Sequence, residues 1–320
     1  VKRILVIQTA FLGDVILATP VFSELKRLFP EAKIDALVKA GNESLLESHL
    51  SLNEVLVFSK KDGKWKSLIA LIRSIRKRKY DVVINLHRFG SSGIITVLSG
   101  ANETRGFAKN PFSIFFTNRF SHEIGDGTHE VERNLSLIHD IGAAKRVRPS
   151  LFPTPEDFSV VKSYQEDAYA VVAPASVWFT KQLPKEQWIK LINHLNSKVY
   201  LIGGPTDEQL CNEIVERLPK SDVVNLAGKL TLMQSAALIS SAQRTYVNDS
   251  GPLHIASAMN APVTAFFCST VPEFGFGPLS DDAKIIQIQE KLECRPCGLH
   301  GHAACPKGHF KCGSEISVHP

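Results

Sequence analysis

Hydrophobic positions along the first half of the chain follow two alternating patterns. Short apolar runs, RILVI, KIDALV, EVLVF and DVVINL, are separated by segments of helical period, VFSELKRLF, NESLLESHL and WKSLIALIRSIRKRK. Strands alternating with helices predict βαβ units and a parallel sheet. In WKSLIALIRSIRKRK, Trp65, Leu68, Leu71, Ile72 and Ile75 recur at helical spacing, which predicts one stripe packed on the sheet and cations turned outward. From about 144 to 168 the pattern lapses into AKRVRPSLFPTPEDFSVVKSYQEDA, whose prolines and charges read as a linker. A second series follows, with YAVVA, KVYLIG, VVNLAG, RTYVN and PVTAFF as strands and helical segments near 184–196, 206–218, 231–241 and 252–259. The pattern thus predicts an α/β domain over 1–150, a linker over 151–168, a second α/β domain over 169–290 and a tail over 291–320. Two such parallel sheets are expected to face a central cleft, with ligands at the carboxyl ends of the strands.

Length and composition agree. A chain of 320 residues suits two domains, and 44% apolar with 22% charged residues is ordinary for a globular protein. No apolar run approaches the roughly eighteen residues of a membrane span, and RILVI begins without a signal-peptide pattern, so a cytoplasmic protein is expected. A net charge of +5 is compatible with an anionic partner or membrane surface but short of a nucleic-acid binder, and no nucleic-acid partner is expected.

Candidate chemistry lies in the loops after strands. IQTAFLGDVILATP holds one carboxylate, Asp14, just after Gly13 in a stretch otherwise almost wholly apolar or small. VNDSGPLHIASAM follows the strand RTYV, with Pro252 expected to open a helix. The helix end there would attract an anion, Gly251 would allow close backbone approach, Ser250 could donate and Asp249 could accept from sugar hydroxyls; plain capping is the alternative. PASVWFTKQLPKEQW presents Ser176 and Lys181, and GGPTDEQ presents Asp207 and Glu208 at a helix start where they could simply cap. No G-x-G-x-x-G and no G-x-x-x-x-G-K-[ST] occurs, which counts against a dehydrogenase or an ATPase. No Asp-x-Asp pair occurs either, so leaving-group charge would be met by cations and backbone dipoles.

Together, ILVIQTAFLGDVILATPV, PASVWFTKQLP, VNDSGPLHIA and HEVERNLSLIHDIG resemble glycosyltransferase family nine, the ADP-heptose:lipopolysaccharide heptosyltransferases. The resemblance implies a GT-B fold of two Rossmann-like domains, acceptor side N-terminal and nucleotide-sugar side C-terminal. It implies Asp14 as catalytic base, Lys181 as phosphate contact, Ser176 as a phosphate-side hydroxyl, and Asp249, Ser250, Gly251 and His254 as the donor loop, with Glu208 a looser match. Where the family carries threonines this chain has Ser176 followed by Val177, and Ser250, which keeps one hydroxyl at each place and loses one at Val177. The implied donor is ADP-heptose, the acceptor the lipopolysaccharide inner core, and no cofactor is required. A single base acting opposite the departing diphosphate implies inversion. A carboxylate at a helix N-terminus should have a lowered pKa, and helix capping is the alternative role for Asp14.

Gly13, His87, Arg88, Arg105 and Lys109 lie where acceptor loops are expected and could meet anionic groups of the core. RSIRKRK could hold the protein against the anionic inner leaflet of the bacterial inner membrane. In the tail, Cys294, Cys297, Cys305 and Cys312, with His300, His302 and His309 among them, could hold structural zinc or an iron–sulfur cluster, pair as disulfides or stay free thiols. Rival readings are a sugar-nucleotide epimerase or hydrolase of the same architecture, and a non-catalytic nucleotide-sugar-binding protein.

Overall fold

A computed structural model describes residues 2–59, 63–219 and 222–318. The chain divides into two compact units at Phe152/Pro153, with Gly125–Gly127 clustering with the second.

The first unit runs β1 (Arg3–Gln8), α1 (Leu12–Leu28), β2 (Lys33–Lys39), β3 (Glu54–Phe58), α2 (Lys64–Arg78), β4 (Val82–Asn85), α3 (Gly90–Val97), β5 (Glu103–Phe107), β6 (Asn118–Phe120) and α4 (Glu130–Ser136). The second runs α5 (Pro155–Val161), β7 (Tyr169–Ala173), α6 (Lys185–Asn193), β8 (Lys198–Leu201), α7 (Glu208–Glu216), β9 (Val223–Asn225), α8 (Leu232–Ser240), β10 (Arg244–Asn248), α9 (Gly251–Ala258), β11 (Val263–Phe267), β12 (Ala283–Gln287) and α10 (Lys311–Ser314). The strand orders are β3-β2-β1-β4-β5-β6 and β12-β11-β10-β7-β8-β9, parallel throughout. Both sheets therefore have the doubly wound order. In each the order reverses between the first and fourth strands, at β1/β4 and β7/β10, where such sheets open a crevice at their carboxyl ends.

Burial explains why these strands read as continuous apolar runs. Leu5, Val6 and Ile7 of β1 and Val171 and Val172 of β7 are fully buried, because helices cover both faces of a parallel sheet. Each such side chain contributes about 1.5–3 kcal/mol by leaving water. On α2, Leu68, Ile72 and Ile75 enter the core beside β1 and β3, and Leu71 packs at its edge. Trp65 stands 64% exposed, so packing on the sheet begins one turn later than the sequence pattern predicts. Pro20 lies inside α1 and cannot donate to Ile16 O; the Thr19 hydroxyl donates to that carbonyl instead at 2.8 Å.

Three further expectations are revised. NESLLESHL forms only a 3₁₀ turn, Glu43–Leu45, since Leu45 and Leu46 are buried while Leu50 is 78% exposed and no continuous stripe results. The segment read as linker contains α5, started by Thr154 and Asp157, each accepting from the other's backbone N–H, with Pro155 at the first position. β5, β6 and β12 escaped the apolar pattern because ETRGF, NRF and AKIIQ mix in charge, β6 and β12 being sheet edges. In the tail, Cys312, Ile316 and Val318 join the core that holds Trp188 and Phe266.

Candidate functional site

Around the first switch point, the loop after β1 carries Gly13 and Asp14 into the first turn of α1. Asp14 is half-buried, and its Oδ2 accepts the Phe11 N–H at 3.2 Å, so it does cap the helix in part. Burial, then repulsion from Glu130, nevertheless pushes its carboxyl up to about 7, against the backbone hydrogen bonds and Arg88, which pull it down. The lowered pKa expected from the helix end is thus overturned: desolvation outweighs the dipole. Around this loop, Thr9 Oγ1 meets His87 Nδ1 at 2.8 Å across the switch point, and Asn42 Nδ2 donates to Ala10 O at 3.2 Å.

Glu130 was not singled out from the sequence, although it stands in the HEVERNLSLIHDIG stretch. It opens α4, is buried, and lies 2.8 Å from Arg133 Nε and 3.3 Å from His122 Nε2. Burial works to raise its pKa, but His122 and Arg133 prevail and hold it below the usual carboxylate range. Glu130 is therefore an anion that raises its neighbour Asp14.

The basic residues assigned to acceptor loops separate. Arg88 is half-buried and acts electrostatically on Asp14. His87 follows β4, but burial, then Arg88, lowers its pKa to about 4, so at neutral pH it is no cation for an anionic acceptor. Arg105 is not in a loop: it sits buried in β5 and its guanidinium donates to Glu103, Asp140 and Leu137 O, which makes it a structural tie. Lys109 is exposed and paired with Glu123 at 2.8 Å.

At the second switch point the loops after β7 and β10 meet. Lys181 Nζ lies 2.7 Å from Asp249 Oδ2, the two side chains being 16% and 7% exposed. Asn248, the last residue of β10, accepts from Leu183 N at 2.9 Å and donates to Pro174 O at 2.9 Å, tying the two loops together. An asparagine also ends β4, where Asn85 Oδ1 accepts from His87 N at 2.9 Å. The sequence signal, DVVIN and RTYVN both closing on asparagine, was available.

Helix α9 starts at Gly251, with Pro252 second and Ser250 as the preceding cap. The Ser250 hydroxyl donates to Asn248 O at 3.4 Å and does not cap the first turn, so the positive helix end stays available to an anion beside the Lys181 ammonium. Ser176 is half-buried on the Lys181 loop, Val177 is 83% exposed, and His254 is buried within α9. Glu208 is exposed at the start of α7, after β8, one strand away from this switch point. Asp207 accepts from Gly204 N at 2.8 Å and so caps its own turn.

Cys294, Cys297, Cys305 and Cys312 are free thiols. Among the described residues no group of three or more His, Cys, Asp or Glu converges to hold a metal ion, so the tail donors do not fit a zinc site as they stand. Cys294 Sγ lies 3.8 Å from His309 Nε2, and burial pushes the Cys312 thiol up to about 11.

Two doubly wound parallel sheets, each with charged loops at its switch point, define the class: an α/β protein of the GT-B fold. The model of glycosyltransferase family 9 (heptosyltransferase) matches residues 68–303, and the chain belongs to that family. Lipopolysaccharide heptosyltransferase 3 of Escherichia coli is 29% identical over 277 residues, covering 81% of this chain and 82% of the relative. In fold, the chain matches the family 9 glycosyl transferase from Veillonella parvula DSM 2008 with a TM-score of 0.81 at 24% identity, over 89% of this chain and 85% of that one. It matches the E. coli ADP-heptose lps heptosyltransferase II with a TM-score of 0.78 at 23% identity, over 92% and 96% of the two chains.

Proposed function

We propose that this glycosyltransferase moves heptose from ADP-heptose to the lipopolysaccharide inner core, with inversion and with no divalent ion or other cofactor. The observation that carries the mechanism is the Asp14 carboxyl, raised to about 7 at the first switch point, where a base of near-neutral pKa balances ionisation against proton affinity. Asp14 takes the proton of the acceptor hydroxyl as it bonds to the anomeric carbon. Lys181 and the N-terminus of α9 steady the departing diphosphate, Asp249 holds the ammonium in place, and Ser176 and Ser250 supply hydroxyls. Asp249, His254 and, more loosely, Glu208 remain donor-side residues in this reading, and Gly13 and Arg88 acceptor-side ones. The sugar and acceptor are suggested by the relatives' names. ADP release from ADP-heptose is expected only when a heptose-deficient core acceptor is present, with the lengthened core seen by mass spectrometry. Equal ADP release without acceptor would favour a hydrolase, and turnover of the sugar nucleotide without ADP release an epimerase.

We further propose a cytoplasmic location, peripheral at the inner face of the inner membrane. Among the described residues no helix is long and apolar enough to cross a membrane. On the first unit Arg73, Arg76, Lys77 and Lys79 are exposed, while Arg78 is paired with Glu54 at 2.7 Å. Arg76 donates to Leu98 O at 3.4 Å, at the rim of a groove lined by Ile94, Val97, Leu98, Phe112 and Phe115. Cations beside exposed apolar residues suit an anionic interface, at about 1 kcal/mol per cation. Co-sedimentation with vesicles should rise with anionic lipid content and fall in Arg76→Glu; binding indifferent to lipid charge would remove the proposal.

A further inference from the structure

The Cys-rich tail supplies the backing of the donor loop. Cys297 N donates to Ser269 O at 2.8 Å, just beyond the end of β11. Ser269 in turn donates twice to Thr180, through its N–H to Thr180 O at 3.1 Å and through its hydroxyl to Thr180 Oγ1 at 3.0 Å. The tail closes on the same residue from the other side: Thr180 N donates to His302 O at 3.1 Å, and His302 N donates to Thr180 Oγ1 at 2.8 Å. Thr180 and Ser269 are fully buried, so these groups depend on one another.

Thr180 immediately precedes Lys181, and Gly301 faces both. Its φ is +77°, and a Cβ there would lie 2.9 Å from Thr180 Oγ1 and 3.0 Å from Lys181 Cγ, so only glycine lets the tail pass behind the lysine stem. The partner of the ammonium is held by the same segment. Arg295 donates to Thr270 O at 2.7 Å, to Cys268 O at 2.7 Å and to Phe267 O at 3.2 Å, while the Thr270 hydroxyl donates to Asp249 Oδ2 at 2.7 Å. Both members of the Lys181–Asp249 pair are thereby braced by residues 295–302.

We infer that residues 295–302 form a positioning clasp that sets the Lys181 ammonium at the second switch point, with Thr180, Ser269 and Gly301 as positioning residues that govern donor diphosphate affinity. The inference rests on the reading of Lys181 as a diphosphate contact. The clasp works through geometry: a small displacement of a charge-assisted contact forfeits much of its strength.

The test is ADP titration of the full chain, with steady-state KM for donor and for acceptor, on Lys181→Ala, Thr180→Val, Thr180→Ser and Gly301→Ala. Thr180→Val keeps shape but removes the hydroxyl shared by His302 and Ser269; it and Gly301→Ala should weaken ADP binding on the order of tenfold. Both should raise the donor KM and leave the acceptor KM unchanged, while Thr180→Ser should restore wild-type binding. A merely structural role would lower the active fraction without moving the donor KM. Wild-type ADP affinity in Thr180→Val and Gly301→Ala, with Lys181→Ala weakened, would overturn the clasp alone. Wild-type affinity in Lys181→Ala would instead overturn the donor reading, and the clasp with it. Should Thr180→Val fail to fold, Gly301→Ala against Thr180→Ser makes the same comparison.

Discussion

Asp14→Asn is expected to bind ADP normally and to lose catalysis by roughly 10²–10⁴-fold, the span for removal of a general base. The amide keeps an oxygen to accept the Phe11 N–H, so the turn into α1 should survive. Near-normal turnover in this variant would remove Asp14 from the mechanism. The pH dependence follows from the same residue. Its base form is the carboxylate, so wild-type kcat/KM should climb with pH and level off above about 7. Glu130→Gln removes a repelling charge and should move that limb to lower pH. A limb that stays in place would assign the titration to another group.

Stability should run the opposite way to activity. The folded pKa of Asp14 is raised above its ordinary value of 3.8, so between 3.8 and about 7 the native state holds more proton than the unfolded chain. Stability contributed by this group therefore falls as pH rises through that window. Asp14→Asn carries no such charge and should gain in stability over wild type at pH 8, with the gain shrinking toward pH 4. Chemical denaturation at the two pH values reads this directly, and a constant difference would show that the carboxyl is not destabilised by burial.

Lys181→Ala is expected to weaken ADP binding by roughly 10–100-fold, the equivalent of one charge-assisted hydrogen bond of about 1.5–3 kcal/mol. The variant also leaves the buried Asp249 with the Thr270 hydroxyl but without its cation, so the unliganded protein should unfold more readily. Titration well below the unfolding range separates the two effects. ADP affinity unchanged from wild type would transfer the diphosphate to another partner and leave the Lys181–Asp249 pair a structural bridge.

How much of this was readable varied with the physics of each element. β1, β2, β4, β7, β8, β10 and β11 announced themselves because strands inside a sheet covered on both faces are mostly apolar, while the edge strands β3 and β9 were legible from their valines although only partly buried. β5, with Arg105 at its centre, was hidden because a buried guanidinium is possible only with Glu103, Asp140 and Leu137 O around it, and those partners are invisible one residue at a time. The helical reading of NESLLESHL failed for the complementary reason: its leucines have the spacing, but burial takes only some of them. Asp14, Lys181, Asp249 and Ser250 could be picked from short motifs at strand ends. Glu130 and Thr180 could not be weighed, since their significance lies in what touches them.

The sequence by itself determined the alternation of strand and helix, the division into two α/β halves, and the loops in which charged residues stand against apolar surroundings. Periodicity and local turn chemistry act over a few residues and are written directly in the chain. Only the tertiary structure decided which charges are shifted by their surroundings and which are tied down in pairs. Desolvation and Coulomb interaction depend on neighbours distant along the chain, as Glu130 is from Asp14, Asp249 from Lys181 and His302 from Thr180.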